Sequence, residues 1–192
     1  MKKLLLLLVV ALIGGAIYVS VIDRSSRAFG PHELAGGHIR ITMPGAPTAG
    51  LECTAQGPCI GQEAWYSRLR GWNTISARGM GFRPLAYAVG VTDLGRPPKV
   101  PEAAEMRARA AAAALLGLDT GHDFEVQRGQ GAALGSSPAT ELIVSAREGE
   151  VIWREIQVGS RYYVAAIAHH PSVPIVGDAQ RFFESYSLPK GY

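Results

Sequence analysis

Hydrophobic residues follow three different spacings along this chain, and each spacing marks a different kind of element. The first is an unbroken run: after Lys2 and Lys3, no charge occurs from Leu4 to Ile22, and Asp23 ends the stretch. Nineteen residues rising about 1.5 Å each give roughly 28 Å of helix, close to the ~30 Å hydrocarbon core of a bilayer. The second spacing is alternation, the sign of half-buried strands. "HIRITMPG" sets Ile39 and Ile41 against Arg40 and Thr42 and stops at Pro44 and Gly45. "AWYSRLRG", "NTISARG" and "PLAYAVGVTD" read as two or three strands, the last apolar enough to be central. "ATELIVSAREGEVIWREIQVGSRYYVAAIAHHP" reads as three consecutive antiparallel strands with tight turns at Glu148-Gly149 and Gly159-Ser160. The second turn places Ile156 opposite Tyr163 and Glu155 opposite Val164, and the first places Arg147 opposite Glu150.

The third spacing is helical. "VPEAAEMRARAAAAALLGLD" has Pro101 and Glu102 at its start, Gly117 as a stop, a Glu105/Arg109 pair at i,i+4, and Ala103, Met106, Ala110 and Ala113 on one face. That face is expected to lie on a sheet. "GDAQRFFESYSLP" places Ala179, Phe182, Phe183 and Tyr186 at i, i+3, i+4 and i+7, with Asp178 as N-cap and Pro189 beyond the end. The whole is an α+β pattern: a largely antiparallel sheet flanked by helices, behind an N-terminal hydrophobic helix. The expected organisation is residues 1–22 as a signal anchor or signal peptide, a polar, Gly-bearing linker over 23–37 ("DRSSRAFGPHELAGG"), and one domain over 38–192.

The N-terminal run fixes a compartment. Lys-Lys before a leucine run is how export signals begin, and the lysines should stay cytoplasmic, so residues from about 23 onward are expected outside the cytoplasm. Two fates share that orientation. Either the segment stays as an anchor, with the domain held at the extracytoplasmic face of the inner membrane, or cleavage after "GGA" at Ala16 releases a periplasmic or secreted chain. Export then decides how to read "LECTAQGPCIG", which holds both cysteines. Five residues between Cys53 and Cys59 rule out a C-x-x-C redox pair, and no further Cys or His stands near enough in sequence to complete a zinc site. An oxidising compartment favours a disulfide between Cys53 and Cys59, contributing about 2 kcal/mol through the small loop it closes.

Composition adds little pull toward any ligand. The formal charge of +3 over 192 residues includes Lys2 and Lys3, so the exported part is near neutral and nucleic acid is not an expected partner. Arg and aromatic residues alternate only in "YSRLRGW" and "ISARGMGFR", which read as a half-solvated strand pair rather than a binding strip. "DTGHDFE" gathers Asp119, His122 and Asp123 after the alanine helix but lacks the alternating acids of a calcium loop. His169 and His170 end a strand and point to opposite faces, so they do not chelate one metal together. These five residues are weak candidates for a ligand site, with a solvated turn as the plainer reading. "GQGAALG" has the wrong spacing for a dinucleotide loop and runs into Pro138, and "GSSPA" is not a nucleophile elbow. No catalytic residue, cofactor site or metal site is assigned.

The order of strands, helix, strand meander and terminal aromatic helix resembles the PsbP-like (Mog/PsbP-type) α/β/α sandwich. The segments that carry the resemblance are "IRITMPGAP" (Ile39 to Pro47), "SRYYVAAIAHHP" (Ser160 to Pro171) and "RFFESYSL" (Arg181 to Leu188). Within that group the chain is similar to small exported bacterial proteins. The resemblance implies a sandwich over about residues 37–188 and a role in binding, because members with known roles serve as an extrinsic photosystem II subunit or as a partner of a small nuclear GTPase. No functional residue of either carries over. The cysteine loop and "RGQGAALGSSP" depart from the pattern. The expected function is a non-catalytic exported domain that binds a protein or envelope component. The alternative is an envelope enzyme or small-ligand carrier with a pocket around "DTGHDFE" or "GSSPA".

Overall fold

The alternating segments of the second half fold as three consecutive strands. The computed structural model describes residues 28–50, 63–76, 79–93, 102–119 and 121–188. Strands β1 (Phe29–Leu34) and β2 (Ile39–Pro44) form a hairpin around a 3₁₀ turn at Ala35–Gly37. The main sheet then takes in β3 (Thr48–Ala49), β4 (Glu63–Ser76), β5 (Gly79–Asp93), β6 (Glu125–Arg128), β9 (Thr140–Ala146), β10 (Gly149–Val158) and β11 (Arg161–His169). Its order is β3-β4-β5-β11-β10-β9-β6, antiparallel throughout. A small hairpin, β7 (Ala133–Leu134) with β8 (Ser137–Pro138), interrupts the run between β6 and β9. Helices α1 (Glu102–Leu116) and α2 (Val176–Glu184) complete the described chain.

Period-two alternation gives the sheet two apolar faces, and each face has its own cover. Ala86, Ala88, Leu142, Val144, Val151, Trp153, Val164, Ala166 and Ala168 lie under α1. Leu85, Tyr87, Val89, Ile156, Tyr163, Ala165 and Ile167 lie under β1, β2, the Leu134 hairpin and α2. The molecule is therefore an α+β sandwich, a largely antiparallel sheet with a helix on each side. On the second face Phe182 packs edge-on to Tyr87, ring centroids 5.1 Å apart. Backbone bonds between Arg40 and Ser187, 2.9 and 2.8 Å long, stitch β2 to the chain leaving α2.

The β10–β11 register is as read, with Ile156 opposite Tyr163 and Glu155 opposite Val164. The β9–β10 turn is displaced by one residue: Gly149 pairs with Ala146, the turn is Arg147 and Glu148, and Glu150 faces Ser145 rather than Arg147. Packing explains the shift. A Cβ at Gly149 would meet Leu116 Cδ2 at 2.7 Å and the His169 carbonyl oxygen at 2.9 Å, so glycine serves the close approach of α1 and not the turn.

Helix α1 occurs where expected but with a different buried face. Ala104, Ala108, Ala111, Ala112 and Leu115 form the stripe on the sheet, joined by Ala113 of the expected face, while Met106 of that face is 70% exposed. The Glu105/Arg109 pair gives way to tertiary partners: Glu105 accepts from Arg128 at 2.8 Å, and Arg109 donates to the Phe124 carbonyl at 2.6 Å. Gly117, at φ +74°, ends the helix as read. In α2 the helix starts two residues before Asp178, which sits in the first turn instead of capping. Phe182 and Phe183 are buried, and Tyr186 is buried just past the helix end. Two further readings change. The second half of the segment read as a linker is β1, and "AWYSRLRG" with "NTIS" is one continuous strand, β4.

Among the described residues no helix is long and apolar enough to cross a membrane. The run from Leu4 to Ile22 and the Cys53/Cys59 pair both lie outside the described residues.

Candidate functional site

Antiparallel order puts the end of β11, the turn between β9 and β10, the start of β6 and the end of α1 at one end of the sheet. The candidate residues therefore converge. His169 lies opposite Glu150 across β10 and opposite Leu85 across β5. Glu150 lies opposite Ser145, and Ser145 opposite Glu125. Leu85, His169, Glu150, Ser145 and Glu125 thus form one row across β5, β11, β10, β9 and β6.

Two histidine–carboxylate contacts flank Gly149. His122 Nε2 is 3.3 Å from Glu148 Oε2, tying the segment after α1 to the β9–β10 turn. His169 Nε2 is 3.3 Å from Glu150 Oε1, and Ser145 Oγ donates to the other carboxylate oxygen at 3.3 Å. His169 Nδ1 is 3.2 Å from the His170 carbonyl oxygen, so both ring nitrogens of this buried side chain face acceptors. His170 turns the other way, as strand alternation requires, and its Nδ1 accepts from Ser172. Asp119 and Asp123 are exposed beside His122, whose ring stacks at a tilt on Phe124, 5.3 Å between centroids.

This arrangement does not make a nucleophile. In a serine triad the imidazole stands between the hydroxyl and the acid; here Glu150 stands between Ser145 and His169, so the ring is not placed to take the hydroxyl proton. Among the described residues no group of three or more His, Cys, Asp or Glu side chains stands where it could hold a metal ion. The two segments offered as alternative pocket sites lie at opposite ends of β6 in the chain. "DTGHDFE" enters that strand, whereas "GSSPA" forms the β7–β8 turn, where Gly135 donates to the Phe183 carbonyl at 2.8 Å. The Gly-rich loop is a packing device against α2.

Sequence reading found the histidines and missed their partners. Glu148, Glu150 and Ser145 carry no motif, and Glu148 is 26 residues from the histidine it meets. The same end also carries a feature hidden by separate reading of its halves. β11 stops at His169, opposite Leu85, and β3 pairs with β4 only at Tyr66 and Trp65. Beyond the Leu69/Leu85 pair, β4 and β5 continue as a two-stranded arm: Arg70 opposite Pro84, Gly71 opposite Arg83, Trp72 opposite Phe82, a register shift, then Ile75 opposite Met80 and Ser76 opposite Gly79. The first Arg/aromatic stretch, "YSRLRGW", lies in β4, and the second, "ISARGMGFR", begins in β4 and ends in β5.

The charged residues elsewhere in the sandwich are structural. Arg107 on α1 grips Glu155 on β10 through bonds of 2.8 and 2.9 Å and lies over the Tyr162 ring at 4.6 Å. Burial raises the Tyr162 phenol pKa, opposed by the Arg107 charge and assisted by that of Glu155. Arg154 on the other face donates to Glu141 at 2.6 Å and to the Ala133 carbonyl at 2.8 Å, and its guanidinium covers Phe183 at 4.1 Å.

No family model matches the chain, and no curated protein matches it. Among solved structures it is similar to the yeast (Saccharomyces cerevisiae) Ran-binding protein Mog1p, at 13% identity and a TM-score of 0.47, over 85% of this chain and 96% of that one.

Proposed function

We propose that this chain is a non-catalytic binding domain, held at or released from the extracytoplasmic face of a membrane, whose partner is a protein or another envelope component. The observation that carries this reading is the convergence of polar side chains from several segments at one end of the sheet. Asp119, His122, Asp123, Arg147 and Glu148 stand on connecting segments over a rigid sandwich, and loops placed this way are where recognition concentrates. The His122–Glu148 contact ties the segment after α1 to the β9–β10 turn, which lowers the ordering cost of binding there. Export supports the disulfide reading of Cys53 and Cys59, and the apolar run from Leu4 to Ile22 supports the anchor.

The experiment is site-specific photo-crosslinking in cells that make the protein. A photoreactive side chain at Arg147, in the β9–β10 turn, is expected to give a recurrent adduct that the same group at Gln157, at the far end of β10, does not. Equal labelling from both positions, or none from either, would reject the rim as a binding surface. Thiol alkylation before and after reduction tests the disulfide in the same preparation, because immediate labelling of both cysteines means that it is absent.

A further inference from the structure

The second face of the sheet is covered unevenly. Its β5 and β11 positions lie under β1, β2 and α2, and the Leu134 hairpin reaches β10 at Arg154, which donates to the Ala133 carbonyl. Toward the β9–β10 turn, β6, β9 and β10 carry two more rows on that face, because Glu150 and Ile152 share the side of β10 that holds the buried Ile156. The register sets Glu125, Ser145 and Glu150 opposite one another in one row and Gln127, Ile143 and Ile152 in the other. Glu125 and Gln127 are exposed, and the other four are half-buried. Ile152 borders the second core, whereas Ile143 belongs to neither core although a strand flanks it on each side. Isoleucine is among the residues most often fully buried. Two adjoining isoleucines left half open mark a sheet face whose cover is incomplete.

The charge around this patch has one sign. Arg154, in the row beyond the isoleucines, is engaged by Glu141 at 2.6 Å, and His169 has its Nε2 3.3 Å from Glu150. Glu125 has no ionic partner among the described residues. In the segments at the edge of the patch, Arg147 is outnumbered by Asp119, Asp123 and Glu148, all of them exposed. That sign decides between occupants. A second copy laid on the same patch would set carboxylates against carboxylates, and lipid phosphates or nucleic acid would be repelled in the same way. A protein segment that combines basic and aliphatic side chains matches both the charge and the isoleucines. Spacing adds a form: Glu125 and Glu150 are two strands apart, roughly 10 Å, which is the rise of about seven residues of helix. Positions i, i+3, i+4 and i+7 share one helix face.

We infer that the open corner of the second face docks a basic amphipathic helix of a partner protein. The helix runs across β6, β9 and β10, with Lys or Arg residues two turns apart meeting Glu125 and Glu150 and aliphatic side chains between them covering Ile143 and Ile152. This rests on the reading of the adjoining turn as a binding surface and gives the partner its chemistry. An exposed ion pair contributes up to about fivefold in binding, and covering an isoleucine contributes about tenfold.

The test titrates the full chain in phosphatidylcholine nanodiscs against a fluorescein-labelled synthetic helix of leucine, alanine and lysine. The peptide has about 18 residues, roughly 27 Å of helix, with lysines seven residues apart on one flank. Its counterpart carries glutamate in place of lysine. Fluorescence anisotropy, corrected with empty discs, should show binding of the lysine peptide and none of the glutamate peptide. E125Q and Q127K should each weaken it about threefold and I143S about tenfold. E33Q, which removes an exposed acid from β1, should leave it unchanged. Q127K alters an exposed edge position, so its effect does not depend on a repacked core. No binding, equal binding of the two peptides, equal loss from E33Q and E125Q, or full binding by Q127K overturns the proposal. A recurrent adduct from Arg147 without preference for the lysine peptide leaves the turn as a binding surface and overturns this inference alone. Preference for the lysine peptide without an Arg147 adduct rejects the turn and sustains the patch, and loss of both rejects both.

Discussion

Removing either half of the Arg107–Glu155 pair should destabilise the sandwich, and removing Arg107 should cost more. The pair joins α1 to β10 across the first face of the sheet, and its members differ in exposure: the Arg107 side chain retains 26% of its surface and Glu155 retains 7%. Breaking a buried pair typically costs about 3–5 kcal/mol because one charge is left without a partner. An arginine orphaned by E155L can swing its guanidinium toward water, which lowers that figure to about 2 kcal/mol. A glutamate orphaned by R107L has no such route, and the stacking on Tyr162 is lost as well, about 1 kcal/mol more. R107L should therefore cost about 4–6 kcal/mol.

The double variant R107L/E155L separates desolvation from attraction. If the cost of each single change is the stranded charge, the pair of leucines should lie within about 1 kcal/mol of wild type. Urea titration of the full chain in a nonionic detergent, read by tryptophan fluorescence and pulse proteolysis, measures all four proteins, with Trp153 buried two residues from Glu155 on the same face. A double variant no more stable than the worse single variant, or E155L costing more than R107L, would refute the reasoning.

Three further outcomes follow from local geometry. Tyr186 is buried with its hydroxyl unpartnered, and burial first, then the neighbouring Tyr163, holds its pKa well above the usual value near 10. Its contribution to stability is therefore complete below pH 10 and is lost as pH rises past that point; Tyr186→Phe should add about 1 kcal/mol at neutral pH and reduce the alkaline loss, whereas a drop in stability at pH 7 would show that the hydroxyl is satisfied. Gly135 has φ +60°, and a Cβ there would collide with the Tyr186 carbonyl, while Gly159, at φ +61°, has open space around it. Gly135→Ala should cost at least about 2 kcal/mol and Gly159→Asn less than about 1 kcal/mol in the same titration, and similar costs would contradict the packing of the loop on α2. On α1, Met106→Glu should stay within about 0.5 kcal/mol of wild type and Ala108→Glu should exceed about 3 kcal/mol by burying a charge, an ordering that thermal melts would reverse if the helix sat in its expected phase.

The elements legible in the sequence are those whose pattern has contrast. Phe182 and Phe183 against Asp178, Gln180 and Arg181 specify a face, and Gly159-Ser160 between apolar runs specifies a register. Helix α1 has no such contrast: alanine at position after position defines a helix without saying which side is buried, and the sheet and the Arg107–Glu155 pair choose the phase. The turn at "REGE" offered two centres, and the choice depended on Leu116, a side chain 33 residues away from Gly149. Strand β1 was obscured by Gly30 and Pro31, residues that a two-stranded edge accepts and a central strand does not. The site was half legible for a related reason. Histidine and acid types stand out in one dimension, but the carboxylates that position them become neighbours only through β9–β10–β11 pairing.

The same pairing gives the arginines of the sandwich their work. Within the sandwich the arginines are engaged by particular oxygens: Arg107 by Glu155, Arg109 by the Phe124 carbonyl, Arg154 by Glu141 and the Ala133 carbonyl. Those contacts hold helices and hairpins to the sheet, and their loss is felt as stability. Raising ionic strength should leave the half-buried pairs of the sandwich almost unchanged and weaken the exposed Arg40–Glu33 pair, because screening acts on exposed charge and hardly at all on buried charge.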